Sequence, residues 1–275
     1  MLKDITIGQY FPGHSPVHRM DPRMKLLLTI FYIVILFCVS NPFGFIPAVL
    51  FLAGCYMVSQ IPIKMIAKSI KPILPIIIFT GILNLFFIEG ESVLVQLGPI
   101  HISWQGIYTS VKMALRLVLL IAGTSLMTYT TSPIALTDAI EQLLSPLKVV
   151  HFPAHELAMM MSIALRFIPT LVEETDKIMS AQKARGADMD SGGLIQRAKA
   201  LIPIMIPLFI SAFRRAEELA LAMECRCYHG GEGRTRMKQL KYSHLDFVAL
   251  GVTTVLLIVI IILNIIPMPF LNWLL

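Results

Sequence analysis

Two apolar runs joined by a short polar turn fill residues 24–59, which read MKLLLTIFYIVILFCVSNPFGFIPAVLFLAGCYMVS. The runs Met24–Ser40 and Phe43–Ser59 each reach the length of about 17–25 residues that crosses a bilayer core as a helix. Lys25, at the start of the first run, is the only charged residue in either. Because backbone polar groups in lipid must be paired within the segment, both runs are expected to be helices. The Ser40–Asn41–Pro42 turn makes them an antiparallel hairpin.

Three more segments of spanning length come after the hairpin: Pro72–Ile88, Gly106–Thr128 and Phe247–Ile266. The composition agrees, since 56% of the 275 residues are hydrophobic, 15% are charged and the mean hydropathy is +0.75. The sequence therefore predicts an all-α integral membrane protein with about five transmembrane helices. We expect three domains: residues 1–128 with four transmembrane helices, a coupling domain of amphipathic helices at 129–245, and residues 246–275 with the last transmembrane helix.

Lys and Arg are distributed unevenly among the connections between these segments. Four occur in residues 1–25, three in the loop after the second segment, and fourteen in residues 129–245. The hairpin turn, the Glu89–Gln105 connection and the C-terminal tail contain none. Cytoplasmic loops of membrane proteins carry an excess of Lys and Arg. We therefore expect a multi-pass protein of the cell membrane with the N-terminus and the coupling domain in the cytoplasm and the C-terminus outside.

The coupling domain shows three amphipathic patterns. The first begins with Pro133 at the first helical position, after a Ser cap. The second covers about Ala154–Arg185 and is expected to bend or break at Pro169, because proline removes a backbone donor. The third is expected from near Pro203 or Pro207 to Arg226.

The stretch Leu194–Phe213 raises the alternative of a sixth transmembrane helix. Its charge-free core is only about 14 residues long, which is short of a span. A span there would also place Arg214 outside, against the charge rule. We therefore interpret it as an apolar helix lying along or just under the membrane.

The sequence lacks the usual signatures of catalysis. No GxxxxGK[ST] phosphate loop and no HExxH, GxSxG or CxxC pattern occurs, so we expect no catalytic residues and no cofactor or metal bound by this chain. His151 and His155, followed by Glu156, superficially resemble a metal site, but Pro153 separates the histidines and no further ligands are evident.

Two basic residues lie inside the fourth transmembrane segment, one helical turn apart. Lys112 is near the outer end, where its long side chain can reach the interface. Arg116 lies deeper, where an unpaired charge is costly. The spans contain no Asp or Glu at depth, so Asn84 is the candidate partner. Arg116 either serves a substrate or gating path or packs against a partner subunit.

Two similar tripeptides close the second and third amphipathic helices: Ala184–Arg185–Gly186 and Cys225–Arg226–Cys227. An Arg at a helix C-terminus complements the helix dipole, and a nearby Gly is an ordinary cap, so helix termination alone explains the pattern. The alternative is that each guanidinium projects into a groove and forms bidentate bonds with a carboxylate or with helix-end carbonyls. Two similar tips then suggest two similar receivers.

At these tripeptides the chain resembles a known family, the transmembrane T components of energy-coupling factor (ECF) transporters. The surrounding Gln182–Asp188 is similar to the family's first motif, and Tyr228–Thr235 resembles the segment directly after its second. Gly8–Gln9–Tyr10 and His18–Lys25, which reads HRMDPRMK, are similar to the family's usual approach to the first helix. Cys on both sides of Arg226 departs from the Ser, Ala or Gly that is more typical there.

The resemblance implies a scaffold without catalytic residues in an importer of a vitamin or other micronutrient. Its partners would be two ATP-binding-cassette ATPases, which bind ATP and Mg²⁺, and a membrane-embedded S component that captures the cargo; nucleic acid has no part in it. Each Arg tip would enter a groove in one ATPase: Arg185 with Ala184 and Gly186, and Arg226 with Cys225 and Cys227. Small or soft side chains would form the coupling surface toward the S component: Ala212, Ala216, Ala220 and Met161.

Other classes of function stay open at this stage. A stand-alone secondary transporter or channel would use a polar site at mid-membrane, for which Pro75, Gly81 and Asn84 are the only hint. A membrane-anchored enzyme would need a catalytic cluster that the sequence lacks, and a purely structural anchor would have no coupling role. Copurification separates these classes, because only the ECF interpretation demands two ATPase partners.

Overall fold

The structure is a computed structural model that describes residues 10–88, 93–97, 100–150, 152–187, 193–230 and 239–265. The chain divides into two compact units. The membrane unit consists of the described residues up to Ser132 and from Leu240 onward, and the insert unit consists of those within Pro133–Gln239. Several residues named above lie outside the described ranges: Gly8, Gln9, His151, Asp188, 231–235 and Ile266.

Ten α-helices and one short hairpin make up the described elements. The membrane unit contains α1 (Pro16–Arg19), α2 (Pro22–Cys38), α3 (Phe45–Ser59), α4 (Ile63–Ile70), α5 (Leu74–Phe87), β1 (Val93–Leu97), β2 (Ile100–Ser103), α6 (Trp104–Thr130) and α10 (His244–Ile265). The insert unit contains α7 (Pro133–Leu144), α8 (Ala154–Ala184) and α9 (Leu194–Cys225). A 3₁₀ turn, Pro42–Gly44, leads into α3, and another, Ser145–Val150, comes after α7. The all-α membrane class is confirmed, with the addition of the antiparallel β1–β2 hairpin.

By length and composition, four helical segments among the described residues qualify as membrane spans: Pro42–Ser59, α6, α8 and α10. A fifth results if α4 and α5, which meet at 58°, form one broken span. The third predicted segment, Pro72–Ile88, is thus a helix of 14 residues preceded by a bend. At 17 residues, α2 is at the short end of spanning length. The qualification of α8 as a possible span differs from the sequence prediction, in which the charge pattern assigns this helix to the coupling domain.

Local capping explains where α2 and α6 begin. Asp21 caps α2 by accepting a hydrogen bond from the Arg23 N–H, and Pro22 supplies the preset backbone angle of the first turn. Ser103 caps α6 in the same way through the Gly106 N–H. The polar residues of the sequence therefore mark helix starts, while the apolar runs between them set helix length.

Helix α6 is the centre of the membrane unit, packing against α2, α3, α4 and α5. Two buried tyrosines donate hydrogen bonds to its carbonyls: Tyr32 to Leu119 O at 3.4 Å and Tyr56 to Ala122 O at 2.7 Å. A Cβ on Gly123 would lie 2.3 Å from the Tyr32 ring, so only glycine permits this approach of α2 to α6. Buried polar groups that find partners in this way stabilise helix pairs inside a bilayer.

The insert unit is built on α8, which packs against α7 and α9. Of the bend or break expected at Pro169, the break is wrong, because α8 runs through this residue, and α9 begins at Leu194 rather than near Pro203 or Pro207. An interior proline costs about 3 kcal/mol, a penalty that packing along a long helix can offset. The Pro203 carbonyl also accepts a hydrogen bond from the Gln182 side chain at 3.3 Å, which links α9 to α8.

Candidate functional site

The C-terminal end of α8 forms a closed cap around Arg185. The Gly186 N–H donates to Lys183 O at 3.0 Å, and the Ala187 N–H donates to Gln182 O at 3.0 Å. Gly186 has a φ of 84°, the left-handed conformation that glycine adopts without a steric penalty. This pair of bonds around a left-handed residue is the Schellman motif. It ends the helix at Ala184, with Arg185 as the C-cap residue, and satisfies two of the last carbonyls.

The C-terminal end of α9 has the same cap around Arg226. The Cys227 N–H donates to Glu224 O at 2.8 Å, and the Tyr228 N–H donates to Met223 O at 3.0 Å. The left-handed position is taken by Cys227, with a φ of 54°. From the sequence, a nearby glycine was expected in this role, and the part played by Cys227 was missed. The signal that identifies it is register, because the left-handed residue comes directly after the Arg in both tripeptides.

Both Arg residues of these caps are exposed, as are the small residues on either side of each. Within the described parts of the chain, neither guanidinium has a hydrogen-bond or ion-pair partner. Arg215, by contrast, donates to a Glu174 carboxylate oxygen at 2.9 Å and so links α9 to α8. The structure thus presents Arg185 and Arg226 as two matched cationic tips, each with free donors for a bidentate acceptor.

The predicted coupling surface lies on two helices of the insert unit. Ala212, Ala216 and Ala220 succeed one another at four-residue spacing on α9, which places them along one face. Ala212 is half-buried and the other two are exposed. Met161, on α8, is 45% exposed. Their role toward a partner stays a prediction.

Arg116 has a different partner from the one expected. Its Nη2 donates to Val39 O at 2.7 Å, and its guanidinium carbon lies 5.7 Å from the Phe37 ring centre and 5.9 Å from that of Phe45. The Asn84 side chain instead donates to Thr80 O on its own helix at 2.9 Å. Arg116 therefore ties α6 to the α2–α3 hairpin at the point where α2 ends.

Of the two histidines whose spacing superficially resembles a metal site, the structure describes His155. His155 Nδ1 lies 2.9 Å from Glu141 Oε1, so this residue joins α8 to α7. His151 is outside the described ranges. Among the described residues, no group of three or more His, Cys, Asp or Glu side chains is arranged to hold a metal ion.

These observations first define a class: a multi-spanning α-helical membrane protein whose insert ends two of its helices in matched, exposed Arg tips. Comparison with known proteins narrows the class. A family model described as cobalt transport protein (CbiQ) matches residues 13–237. The energy-coupling factor transporter transmembrane protein EcfT of Ruminiclostridium cellulolyticum is 54% identical over 264 residues, covering 96% of this chain and 98% of that protein. The protein of the same name from Bacillus subtilis is 46% identical over 246 residues, covering 90% and 93%.

The chain belongs to the family of transmembrane T components of energy-coupling factor transporters. The family resemblance drawn from the two tripeptides is therefore confirmed. Membership makes the chain a membrane subunit of a transporter.

Proposed function

We propose that this chain is the scaffold and energy-coupling subunit of an ECF-type importer for a vitamin or other micronutrient. Two ATP-binding-cassette ATPases, which bind the ATP and Mg²⁺, dock on the tips at Arg185 and Arg226. A membrane-embedded S component carries the cargo. This chain transmits the closing motion of the ATPases to the S component and performs no chemistry itself.

The observation that supports this proposal most strongly is the identity of the two caps. Two helices end in the same Schellman geometry with an exposed Arg at the same position. Ordinary termination requires no such match, whereas docking on two similar ATPases requires two similar projections. Because each cap satisfies two of the last helix carbonyls internally, the guanidinium is the group left to bind the partner.

The charge distribution supports a cytoplasmic position for these tips. The fourteen Lys and Arg residues of 129–245 favour the cytoplasm, where ATP is available to the ATPases. The N-terminus is proposed to lie on the same side and the C-terminus outside. On this arrangement, Ala212, Ala216, Ala220 and Met161 belong to the surface that slides against the S component, since small side chains permit close approach of helices.

Charge reversal at the tips tests the docking. Arg185→Glu and Arg226→Glu, singly and together, are compared in vesicles that hold the co-expressed complex, with ATP-dependent uptake of a radiolabelled vitamin and pulldown of the ATPases as readouts. Arg214→Glu is the matched control, because it reverses an exposed charge on α9 away from the cap. We expect the double variant to lose the ATPases and uptake while still inserting, and the control to keep both.

Opposite outcomes are equally informative. If the double variant binds the ATPases and transports normally, the Arg tips only terminate helices and the docking proposal is wrong. If vesicles that contain this chain alone accumulate the vitamin, the alternative of a stand-alone secondary transporter or channel is correct.

A further inference from the structure

The chain leaves the membrane unit after α6 and returns to it just before α10. Near each of these two connections, a backbone carbonyl accepts a hydrogen bond from a basic side chain in the first turn of α2. These side chains, Arg23 and Lys25, belong to the HRMDPRMK segment, His18–Lys25, for which docking on the ATPases assigns no role. One short segment thus contacts the chain on both sides of the insert unit, at the end of α6 and just before α10.

Lys25 binds the chain where it leaves the membrane unit after α6. Its Nζ donates to Thr130 O at 2.9 Å and to His18 O at 3.2 Å, and the residue is only 6% exposed. Thr130 is the last residue of α6. Next to it, the Phe11 N–H donates to Tyr129 O at 2.9 Å. The end of α6 is therefore fixed to the start of α2 and to the segment before it.

Arg23 binds the chain where it returns to the membrane unit before α10. Its Nη2 donates to Leu240 O at 3.2 Å, and its guanidinium carbon lies 4.2 Å from the ring centre of Tyr242. The same guanidinium is oriented by Asp21, to which Nε donates at 3.1 Å and Nη2 at 2.7 Å. A bidentate pair of this kind restricts the planar group to one orientation.

Asp246 completes the connection in the first turn of α10. It is 1% exposed, and its two carboxylate oxygens accept from the Asp21 N–H at 2.9 Å and the Ser243 N–H at 2.7 Å. The first turns of α2 and α10 are thereby joined through buried, charge-assisted hydrogen bonds. Buried charges with all these partners are strongly destabilised when one partner is removed, so the arrangement resists separation.

We infer that Asp21, Arg23, Lys25 and Asp246 form a two-point clamp that transmits motion from the insert to the membrane helices. The clamp makes the starts of α2 and α10 and the end of α6 move as one body. Without it, the connections on either side of the insert would absorb the displacement produced by the ATPases. The four side chains are positioning residues, and the inference rests on the proposed energy-coupling function.

The test measures the amount of vitamin transported for each ATP hydrolysed. Complexes with Lys25→Met or Arg23→Gln are reconstituted with an S component that binds riboflavin, and uptake of radiolabelled riboflavin and phosphate release are measured in the same vesicles. We expect both ATPases to copurify and the ratio of uptake to hydrolysis to fall roughly fivefold or more, the usual lower range of coupling effects. Lys112→Met is the matched control, a lysine of α6 that lies 5.8 Å from the Tyr108 ring centre, and it should keep the wild-type ratio.

One outcome overturns the clamp, a wild-type ratio in correctly inserted complexes. Whether the variants lower uptake and hydrolysis in equal proportion or leave both unchanged, the four residues then only stabilise the fold. Should Lys25→Met fail to insert, Arg23→Lys carries the test, because it keeps the charge but not the bidentate pair with Asp21; an intermediate ratio supports the clamp and a wild-type ratio overturns it.

Failure of the clamp and failure of the docking proposal are distinguishable. Docking is judged by whether the ATPases remain bound to the Arg185→Glu/Arg226→Glu variant. The clamp is judged by the coupling ratio in complexes that retain both ATPases. Normal ATPase binding to that charge-reversed variant, together with a lowered ratio for Lys25→Met, would reject Arg docking and support the clamp.

Discussion

At the residue scale, Cys227 has a backbone conformation that is strained for any residue except glycine. Gly186 and Cys227 occupy equivalent positions in the two Schellman caps, with φ values of 84° and 54°. The left-handed conformation costs a residue with a Cβ about 1–2 kcal/mol, and glycine avoids that cost. The cap of α9 is therefore the more strained of the two.

Exchange of these two residues should shift stability in opposite directions. We expect Cys227→Gly to stabilise the protein by about 0.5–1 kcal/mol, since the strain relieved exceeds the added chain entropy, and Gly186→Ala to destabilise it by about 1 kcal/mol. Thermal unfolding of the purified protein in detergent measures both. Cys227→Ala is the control, because it keeps the Cβ and should change little; a gain equal to that of Cys227→Gly would contradict the strain.

His18 gives the second prediction at this scale, a dependence of stability on pH. Its Nε2 donates to Phe11 O at 3.0 Å, so in the neutral ring Nδ1 accepts from the Ser15 hydroxyl at 2.7 Å. Burial lowers the pKa of His18, with further lowering by the charges of Lys25 and His14, against an opposing effect of the Phe11 hydrogen bond. A folded-state pKa below the ordinary value of about 6.5 means that the stabilisation is present above that pH and is lost as the pH falls through the folded-state pKa.

Lowering the pH from about 7.5 to 5 should therefore decrease the unfolding temperature of the wild type. In His18→Gln this part of the pH dependence should disappear, whereas His14→Gln should retain most of it, since the charge of His14 makes the smallest contribution to the lowered pKa of His18. An unchanged pH profile in His18→Gln would show that the ring does not titrate with folding.

At the scale of elements, the contact of α2 with α6 depends on the absence of one side chain. The Tyr32 ring that approaches Gly123 is held on two sides, by the hydrogen bond to Leu119 O and by stacking on Phe51 at 5.9 Å. It cannot swing aside without losing both. The two helices must therefore separate if a methyl group is added.

Gly123→Ala should destabilise the protein by about 1–3 kcal/mol, the usual cost of overpacking a core. Gly54→Ala on α3 is the control, because a Cβ there meets nothing within 4 Å. Thermal unfolding of both variants measures the difference. In the Tyr32→Leu background the cost of Gly123→Ala should shrink, and an unchanged cost there would place the clash elsewhere.

At the scale of the whole molecule, the two tips are proposed to be covered when the transporter assembles. Cys225 and Cys227 are free and exposed beside Arg226, so their thiols report the state of that tip. We expect docking of the ATPases to slow maleimide labelling of these thiols roughly tenfold or more, the factor that corresponds to about 1.4 kcal/mol of protection. Mass spectrometry of labelled peptides measures the rate at each cysteine.

The labelling experiment contains its own controls. Cys38, an exposed cysteine at the end of α2, should react at the same rate with and without ATPases. In the Arg185→Glu/Arg226→Glu variant, Cys225 and Cys227 should stay reactive after ATPases are added. Equal labelling of the wild type in both states would place the docking surface away from Arg226.

Binding energy adds a quantitative prediction at the same scale. Replacement of one tip, Arg185→Ala or Arg226→Ala, removes a charge-assisted contact worth about 1.5–3 kcal/mol. Affinity for the ATPases should fall roughly 10- to 150-fold, which titration of detergent-solubilised subunits measures. A loss below about threefold for both variants, or about 0.6 kcal/mol, would contradict a bidentate contact at either tip.

Local sequence patterns were enough to identify the membrane class and the family, because each depends on signals contained within a few consecutive residues. Apolar runs of spanning length and the two Arg tripeptides are signals of this kind. The helix start at Pro133 was also predicted, since a cap and a proline act within one turn, whereas the first apolar run was placed from Met24 and the structure begins α2 at Pro22. Proline misled at Pro203, where a helix start was expected inside α9, and at Pro169, where a break was one of the two expectations.

Contacts between distant parts of the chain could not be inferred from such patterns. Asp21 and Asp246 meet across 225 positions, and Arg116 binds a carbonyl 77 positions away. Nothing in the residues near either end of these contacts specifies the other end, since partner choice depends on which helices pack together. Apolar runs, charge and the two Arg tripeptides thus defined the helices and the family, whereas packing determined which charged side chain meets which backbone group, because a hydrogen bond requires atoms about 3 Å apart that only the folded chain brings together.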